Sequence, residues 1–124
     1  MFYTGYRYNV SMLANRTSSE SLRSNGRSAM LILASLAGGE KHGYALVKDV
    51  EHFADVHIAP GTLYEALARL QTQKLIESIV SDDRRRPYRL TALGESVLSE
   101  CLHAQRRVTD VGMRRLRHVW RVAQ

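Results

Sequence analysis

The sequence contains a single cysteine, no long apolar run and no recognisable catalytic motif. Because Cys101 is the sole cysteine among 124 residues, an intrachain disulfide is excluded, which suits a reducing cytoplasm. No apolar stretch approaches the roughly 20 residues that cross a bilayer. The first 21 residues lack the continuous apolar core of a secretory signal. We therefore expect a soluble, cytoplasmic protein without membrane attachment.

Metal and catalytic chemistry are also poorly represented. The five histidines do not form a recognised ligand spacing, and one cysteine cannot build a cysteine-rich zinc site. Cys101 and His103 are two residues apart on a predicted helix, so their side chains point in different directions. Asp82 and Asp83 lie on an exposed turn, and no glycine-rich phosphate loop is present. We expect no cofactor, no metal and no enzymatic activity.

Positive charge is what the sequence has in excess. Lysine and arginine number 18 against 12 aspartate and glutamate residues, a net charge of +6. Such a balance favours a polyanionic partner, either nucleic acid or an anionic membrane surface. The length fits one domain with an appendage.

The most informative stretch is a predicted helix over residues 60–73. Leu63, Leu67 and Leu70 follow the spacing of one apolar stripe on a helix. The opposite face carries small or polar residues, namely Gly61, Thr62, Glu65, Arg69 and Thr72. Pro60 suits the first helical position, and Ala59 offers no capping oxygen, so the first amides are free for a phosphate. Such a helix can lie in a DNA major groove, although an ordinary surface helix is the alternative.

Two helices are predicted before it. The apolar segment 29–37 predicts a buried helix that Gly38 and Gly39 end. A second helix starts at Gly43, with an apolar face of Leu46, Val47, Val50 and Phe53. Residues 55–58 are too few for more than a small strand, so two amphipathic helices joined this tightly predict a helix-turn-helix.

A basic hairpin is predicted after the third helix, with strands over residues 75–80 and 87–90. The turn between them contains three consecutive arginines, and Pro87 belongs at a strand start or edge. The arginines of this segment, which are Arg84, Arg85, Arg86 and Arg89, outnumber Asp82 and Asp83. Part of the charge therefore lacks a partner in the turn, which favours a DNA-binding wing over a solvated loop with internal ion pairs.

The last predicted helix is capped by Thr91 and runs to about Arg121, roughly 45 Å. Apolar residues recur along it at steps of three and four, a spacing that indicates a seam. The predicted seam comprises Val97, Cys101, Ala104, Val108, Val111, Leu116, Val119, Trp120 and Ala123. A second copy of the chain is the favoured partner, and folding back onto the same domain is the alternative. Met113 and Trp120 could also line a site for a small-molecule effector.

Two sequence blocks resemble the PadR family of winged-helix transcriptional regulators. They are Pro60-Gly-Thr-Leu-Tyr64, with His42-Gly-Tyr44 before it, and the segment from Arg85 to Thr91, with Gly94 after it. The resemblance covers about residues 28–121. It implies a homodimeric DNA-binding repressor whose third helix enters the major groove, while the wing touches the DNA backbone. Family members dimerise through the C-terminal helix, often together with the N-terminal helix.

Two positions depart from the family pattern. Lys74 stands where the family usually has glycine, and a left-handed lysine there would cost on the order of 1 kcal/mol. Pro87 replaces a residue that is more often tyrosine or basic, which affects the hydrogen-bond register of the wing. Residues 1–25 have no counterpart in the resemblance.

We thus expect a mainly α-helical protein with a small β-hairpin. Residues 1–25 would be a tail or arm, 26–90 a winged helix-turn-helix domain and 91–124 a dimerisation helix. The predicted DNA contacts are Gly61, Thr62, Tyr64, Glu65, Arg69, Lys74, Arg84, Arg85, Arg86 and Arg89. The expected partners are double-stranded DNA, a second copy and a possible effector. A protein-docking module and an RNA-binding protein remain as alternatives.

Overall fold

The computed structural model describes residues 26–80 and 86–123. Its elements in chain order are α1 (Arg27–Ala37), α2 (Gly43–Ala54), α3 (Pro60–Thr72), β1 (Ile76–Ser78), β2 (Tyr88–Leu90) and α4 (Ala92–Ala123). The two strands form an antiparallel hairpin in which Ile76 faces Leu90 and Ser78 faces Tyr88. The mainly helical fold with a hairpin and a long C-terminal helix is confirmed, and the predicted N-terminal arm lies outside the described residues.

Helix α1 is the centre of the core. Ile32 and Leu33 are fully buried on it, and the helix contacts α2, α3, α4 and β2. The other elements contribute the aliphatic residues that surround it: Leu46, Val50, Leu63, Leu67, Leu70, Leu75, Ile76, Val97 and Leu98. Each fully buried aliphatic side chain of this kind contributes roughly 1.5–3 kcal/mol. Helix α3 uses the predicted leucine stripe for this purpose, so its polar face points outward.

Lys41 ties the end of α1 to the hairpin. Its amide donates to the Tyr88 carbonyl oxygen at 3.1 Å, and the Tyr88 amide donates back to the Lys41 carbonyl oxygen at 2.9 Å. The Lys41 ammonium donates to the Ser35 carbonyl oxygen at 2.6 Å, and the Ser35 hydroxyl donates to Asp49 at 2.7 Å. Lys41 therefore forms an isolated antiparallel β-bridge to Tyr88 beside the two-stranded hairpin.

The corner between α3 and β1 holds the start of α4. Lys74 has φ +67°, so the left-handed conformation considered for this lysine is confirmed. The Thr91 hydroxyl lies 2.7 Å from the Lys74 carbonyl oxygen and 3.0 Å from that of Leu75, and it accepts from the Gly94 amide at 3.0 Å. Thr91 thus caps α4 as predicted and also fixes it to the end of α3.

Gly94 allows this close approach. A Cβ atom at that position would lie 2.0 Å from the Leu75 carbonyl oxygen, which is far inside van der Waals contact. Only glycine therefore lets the first turn of α4 pack against this corner.

Phe53 and residues 55–58 depart from the prediction. The Phe53 side chain is 48% exposed, so this end of the predicted apolar face of α2 is not buried in the core. Ile58, from the loop after α2, is buried at this end of the core instead. Residues 55–58 form a loop rather than a small strand, and it begins with Asp55 in a left-handed conformation at φ +55°.

The burial of helix α4 decreases along its length. Its buried residues, Gly94, Val97 and Leu98, all lie in its first two turns. Val97 is fully buried in the core of its own domain, so its assignment to a dimer seam is wrong, because no surface remains for a second copy to contact. Cys101 is half-buried against the same core, and burial raises the pKa of its thiol. In the part of the chain that the structure describes, no helix is long and apolar enough to span a bilayer.

Candidate nucleic-acid interface

The outward face of α3 begins with an uncapped turn. Ala59 makes no side-chain cap, and Pro60 occupies the first turn of the helix. The first intrahelical bond runs from the Leu63 amide to the Ala59 carbonyl oxygen, at 2.9 Å. The amides of Gly61 and Thr62 therefore have no partner inside the helix, and the positive end of the helix dipole lies beside them. Nothing lies within 4 Å of the position that a Gly61 Cβ would occupy, so another molecule can approach closely.

One turn further along, Glu65 and Arg69 form an ion pair. Arg69 Nη2 lies 3.0 Å from Glu65 Oε1, and the two side chains are 22% and 69% exposed. The Thr72 hydroxyl donates to the Ala68 carbonyl oxygen at 3.0 Å. An exposed pair with this spacing contributes only about 0.2–0.5 kcal/mol to helix stability, so either partner can be redirected to a ligand at small cost.

Two tyrosines widen this surface towards α2. Tyr64 is 58% exposed, and its hydroxyl would lie 3.5 Å from a Cβ placed on Gly43 at the start of α2. Tyr44 is 69% exposed, and the Lys48 ammonium lies 5.6 Å from the centre of its ring. Tyr44 belongs to the His-Gly-Tyr block but was absent from the predicted contacts. The sequence feature that could have identified Tyr44 is its position as a large aromatic residue on the polar face of α2.

The hairpin carries less free charge than the sequence suggested. Arg89 Nε lies 3.1 Å from Glu77 Oε2, because the hairpin register places these two residues opposite each other. The charge count that predicted unpartnered arginines in the hairpin considered only Asp82 and Asp83 and left out Glu77. Arg86 is exposed, whereas Arg84 and Arg85 lie outside the described residues. Pro87 directly precedes β2, as predicted, and its carbonyl oxygen accepts from the Ile79 amide at 2.8 Å, so the hairpin register continues past the proline.

The predicted contacts therefore fall into separate groups. Gly61, Thr62, Tyr64, Glu65 and Arg69 share the outward side of α3. Lys74 is exposed at the far end of that helix, and Arg86 and Arg89 belong to the hairpin. The first group is a continuous polar surface that can approach a groove.

A second polar contact fixes the connection between α2 and α3. The His57 imidazole pairs with the Glu51 carboxylate, and Lys48 Nζ lies 3.7 Å from the same carboxylate. The hydrogen bond from His57 lowers the pKa of Glu51. This contact joins the last turn of α2 to the loop that sets the start of α3.

Three helices followed by a hairpin, with the third helix presenting an uncapped polar face, define a winged helix-turn-helix module of the DNA-binding type. The sequence profile of the transcriptional regulator PadR-like family matches residues 32–100. The chain therefore belongs to the PadR-like family of transcriptional regulators.

Two individual relatives are similar in sequence to more than half of the chain. A transcriptional regulator of Mycobacterium tuberculosis is 36% identical over 72 residues, which are 56% of this chain and 66% of that protein. An uncharacterized 37.1 kDa protein from a Streptomyces fradiae transposon is 38% identical over 80 residues, 64% of this chain and 23% of that protein. The chain thus spans less than two thirds of the length of either protein.

The fold has crystallographic counterparts. The crystal structure of a PadR family transcriptional regulator from Eggerthella lenta superposes with a TM-score of 0.61 at 33% identity. The superposition covers 91% of this chain and 96% of that one. The likeness therefore extends beyond the winged helix to most of the chain.

Proposed function

We propose that this PadR-family regulator binds a specific duplex DNA sequence as a homodimer and acts as a repressor. The observation that carries the proposal is the outward face of α3, where free amides at Gly61 and Thr62 adjoin the exposed Glu65–Arg69 pair. The amides fit a phosphate, and an arginine about two turns along the helix can reach a base edge. Phosphate contacts would position the helix, while Arg69 would supply sequence preference.

The dimer is supported by apolar side chains on α4 that have no cover in the described part of the chain. Val108, Leu116, Val119 and Trp120 are 72%, 44%, 56% and 52% exposed. They belong to the predicted seam, and a second copy of α4 would remove them from water. Two copies related by a two-fold axis would read two half-sites, about 34–36 Å apart or a multiple of this distance. Repression follows from occupancy, because a bound dimer excludes polymerase from the DNA that it covers.

A groove between α1, β2 and α4 is suited to a small-molecule effector. Its volume is about 330 Å³, and its apolar lining includes Leu90, Leu98 and Leu102. Glu95, His103 and Arg106 also line it, so an amphiphilic molecule with a polar group would fit. Neither Met113 nor Trp120, the residues predicted for an effector site, lines this groove. A ligand there would touch both β2 and α4, and could thereby change the angle between hairpin and dimer helix.

Selection of bound sequences from a random duplex pool tests the function directly. We expect enrichment of a two-fold symmetric motif, with affinity that falls steeply as salt concentration rises. Single-stranded RNA of matched length should compete weakly with the enriched duplex. Recovery of no motif, together with binding that ignores salt, would favour the protein-docking alternative, and stronger competition by RNA would favour an RNA-binding role.

A further inference from the structure

The largest block of net positive charge lies in the last part of α4. Residues 106–124 contain six arginines and one aspartate, a net charge of +5 out of +6 for the whole chain. Residues 26–90, which form the winged helix, contain nine lysines and arginines against eight aspartates and glutamates. The module expected to bind DNA is therefore close to neutral, and the basic surface is on another element.

Five of the six arginines share one side of the helix. Arg107, Arg114 and Arg121 are spaced by seven residues, which places them in a row about 10.5 Å apart. Arg106 and Arg117 flank this row, so all five lie within a sector of about 100°. We call these five residues the basic row. All five are exposed, and none forms an ion pair with an acid in the described ranges, although Asp110 lies on the same side.

The basic row lies away from the apolar seam. By the same helical angles, the exposed Val108 and Val119 lie on the opposite side, where the proposed second copy would pack, and Trp120 lies at the edge of that side, beside Arg117. Dimerisation through that side leaves the row in solvent. Two copies would bring about ten positive charges close together, and an anionic polymer would relieve this repulsion.

The basic row is also separate from the recognition surface. Helix α3 presents its outward face around Gly61, Glu65 and Arg69, whereas the row begins at Arg106, beyond the buried first turns of α4. A phosphate bound by Arg114 or Arg117 is therefore bound by residues of α4, which do not belong to the outward face of α3.

We propose that the basic row of α4 binds the phosphate backbone of duplex DNA, as a second contact that is independent of base sequence. This proposal rests on the proposed function, because it adds a contact to a DNA-binding dimer. Guanidinium groups bind phosphates through two parallel hydrogen bonds, and a regular row of them fits a regularly charged polymer better than a folded acidic protein. An anionic membrane is disfavoured because it would need the apolar side of α4, which the dimer covers.

Charge-neutral and charge-retaining variants at the same positions provide the test. The neutral variant is Arg107→Gln, Arg114→Gln, Arg117→Gln and Arg121→Gln, and the control carries Lys at all four positions. Affinity for a random-sequence duplex is measured from 50 to 300 mM salt, with sedimentation and circular dichroism as checks of dimer and fold. We expect the neutral variant to flatten the log–log salt slope by about 0.9 for each phosphate that the row no longer neutralises, and the lysine control to keep most of the slope.

The ratio of the affinities for the selected and random duplexes distinguishes this proposal from the proposed function. The neutral variant should weaken binding to the selected and random duplexes by the same factor, so their ratio should stay within twofold of the starting protein. An unchanged salt slope would overturn the proposal and leave base reading by α3 intact. Equal flattening in the glutamine and lysine variants would also overturn it, because charge would not be the cause.

If the neutral variant changes its oligomeric state, photo-crosslinking of the starting protein tests the contact with DNA directly. A photo-crosslinker in place of Arg117 should join to a labelled random duplex, whereas one in place of Arg115, outside the basic row, should do so much less. Absence of crosslinks at position 117 would contradict the proposal. Binding of the starting protein to phosphatidylglycerol vesicles at 150 mM salt, with no crosslinks to DNA, would assign the row to membranes instead.

Discussion

The winged helix and the distal half of α4 (residues 106–123) both consist of amphipathic helices, but they differ in how far their apolar side chains are buried. In the winged helix, α1, α2 and α3 direct their apolar stripes at one another, and Ile32, Leu46 and Val50 are completely buried. In the distal half, Val108 and Val119 are mostly exposed, and five arginines occupy another side. The apolar side chains of the first region are buried by the described part of the chain, whereas those of the second are left exposed by it. A helical period of apolar residues therefore indicates an apolar face on the helix, but it does not identify the surface that packs against that face.

The sharpest contrast between the regions is in their glycines. Gly94→Ala would place a methyl group 2.0 Å from the Leu75 carbonyl oxygen, so we expect a loss of about 3 kcal/mol or more in the free energy of unfolding. Nothing lies within 4 Å of a Cβ at Gly112, and Gly112→Ala should instead stabilise the helix by about 0.5–1 kcal/mol. Chemical denaturation measures both. A weakened dimer in the Gly112 variant would show that two α4 helices cross closely at that residue.

The seam is tested by charge placed on its exposed apolar side. Val108→Asp combined with Leu116→Asp would bury two carboxylates in the proposed interface, so we expect monomers or unfolded chain. Sedimentation of the double variant measures this outcome, with Arg107→Asp combined with Arg114→Asp, on the opposite side of the helix, as the matched control. Well-folded dimers of the double variant would place the interface elsewhere.

Base reading by α3 should depend on Arg69. Arg69→Ala removes the partner of Glu65 and should weaken binding to the selected duplex by about 1–3 kcal/mol. Titration of the selected and a scrambled duplex provides the measurement. An equal loss for both sequences would mean that Arg69 contacts phosphate and reads no base.

The wing should affect affinity without affecting stability. Replacing Arg84, Arg85 and Arg86 with Ala should weaken binding to every duplex and flatten the salt slope by about 0.9 for each phosphate that the wing no longer binds. The dimer and the thermal midpoint should change little, because Arg86 is exposed and exposed charges contribute little to stability. An unaltered salt slope would remove the wing from the interface and strengthen the case for the basic row.

The smallest expected effect is at the corner after α3. Lys74→Gly relieves a left-handed lysine at φ +67° and should stabilise the fold by on the order of 1 kcal/mol. The same change removes an exposed positive charge near the recognition surface, so DNA affinity should fall slightly as stability rises. Denaturation and DNA titration of one protein sample would show whether the two effects have opposite signs.

The sequence by itself determined the elements and their order. The leucines of α3 follow a helical period, and the predicted helix over 60–73 agrees with the observed Pro60–Thr72. Thr91 was identifiable as a cap because its hydroxyl can accept an amide three residues later, and the Gly94 amide is the donor. These features depend on neighbours within about four residues, and local sequence is sufficient to specify them.

Only the tertiary structure decided which partner each side chain meets. Val97 has the same spacing as the predicted seam, yet it lies in its own core because Thr91 and Gly94 fix the first turns of α4 against the end of α3. Arg89 pairs with Glu77 because the hairpin register places them opposite each other, although twelve residues separate them in sequence. Both contacts depend on how distant segments pack, and a helical or strand period carries no information about that packing.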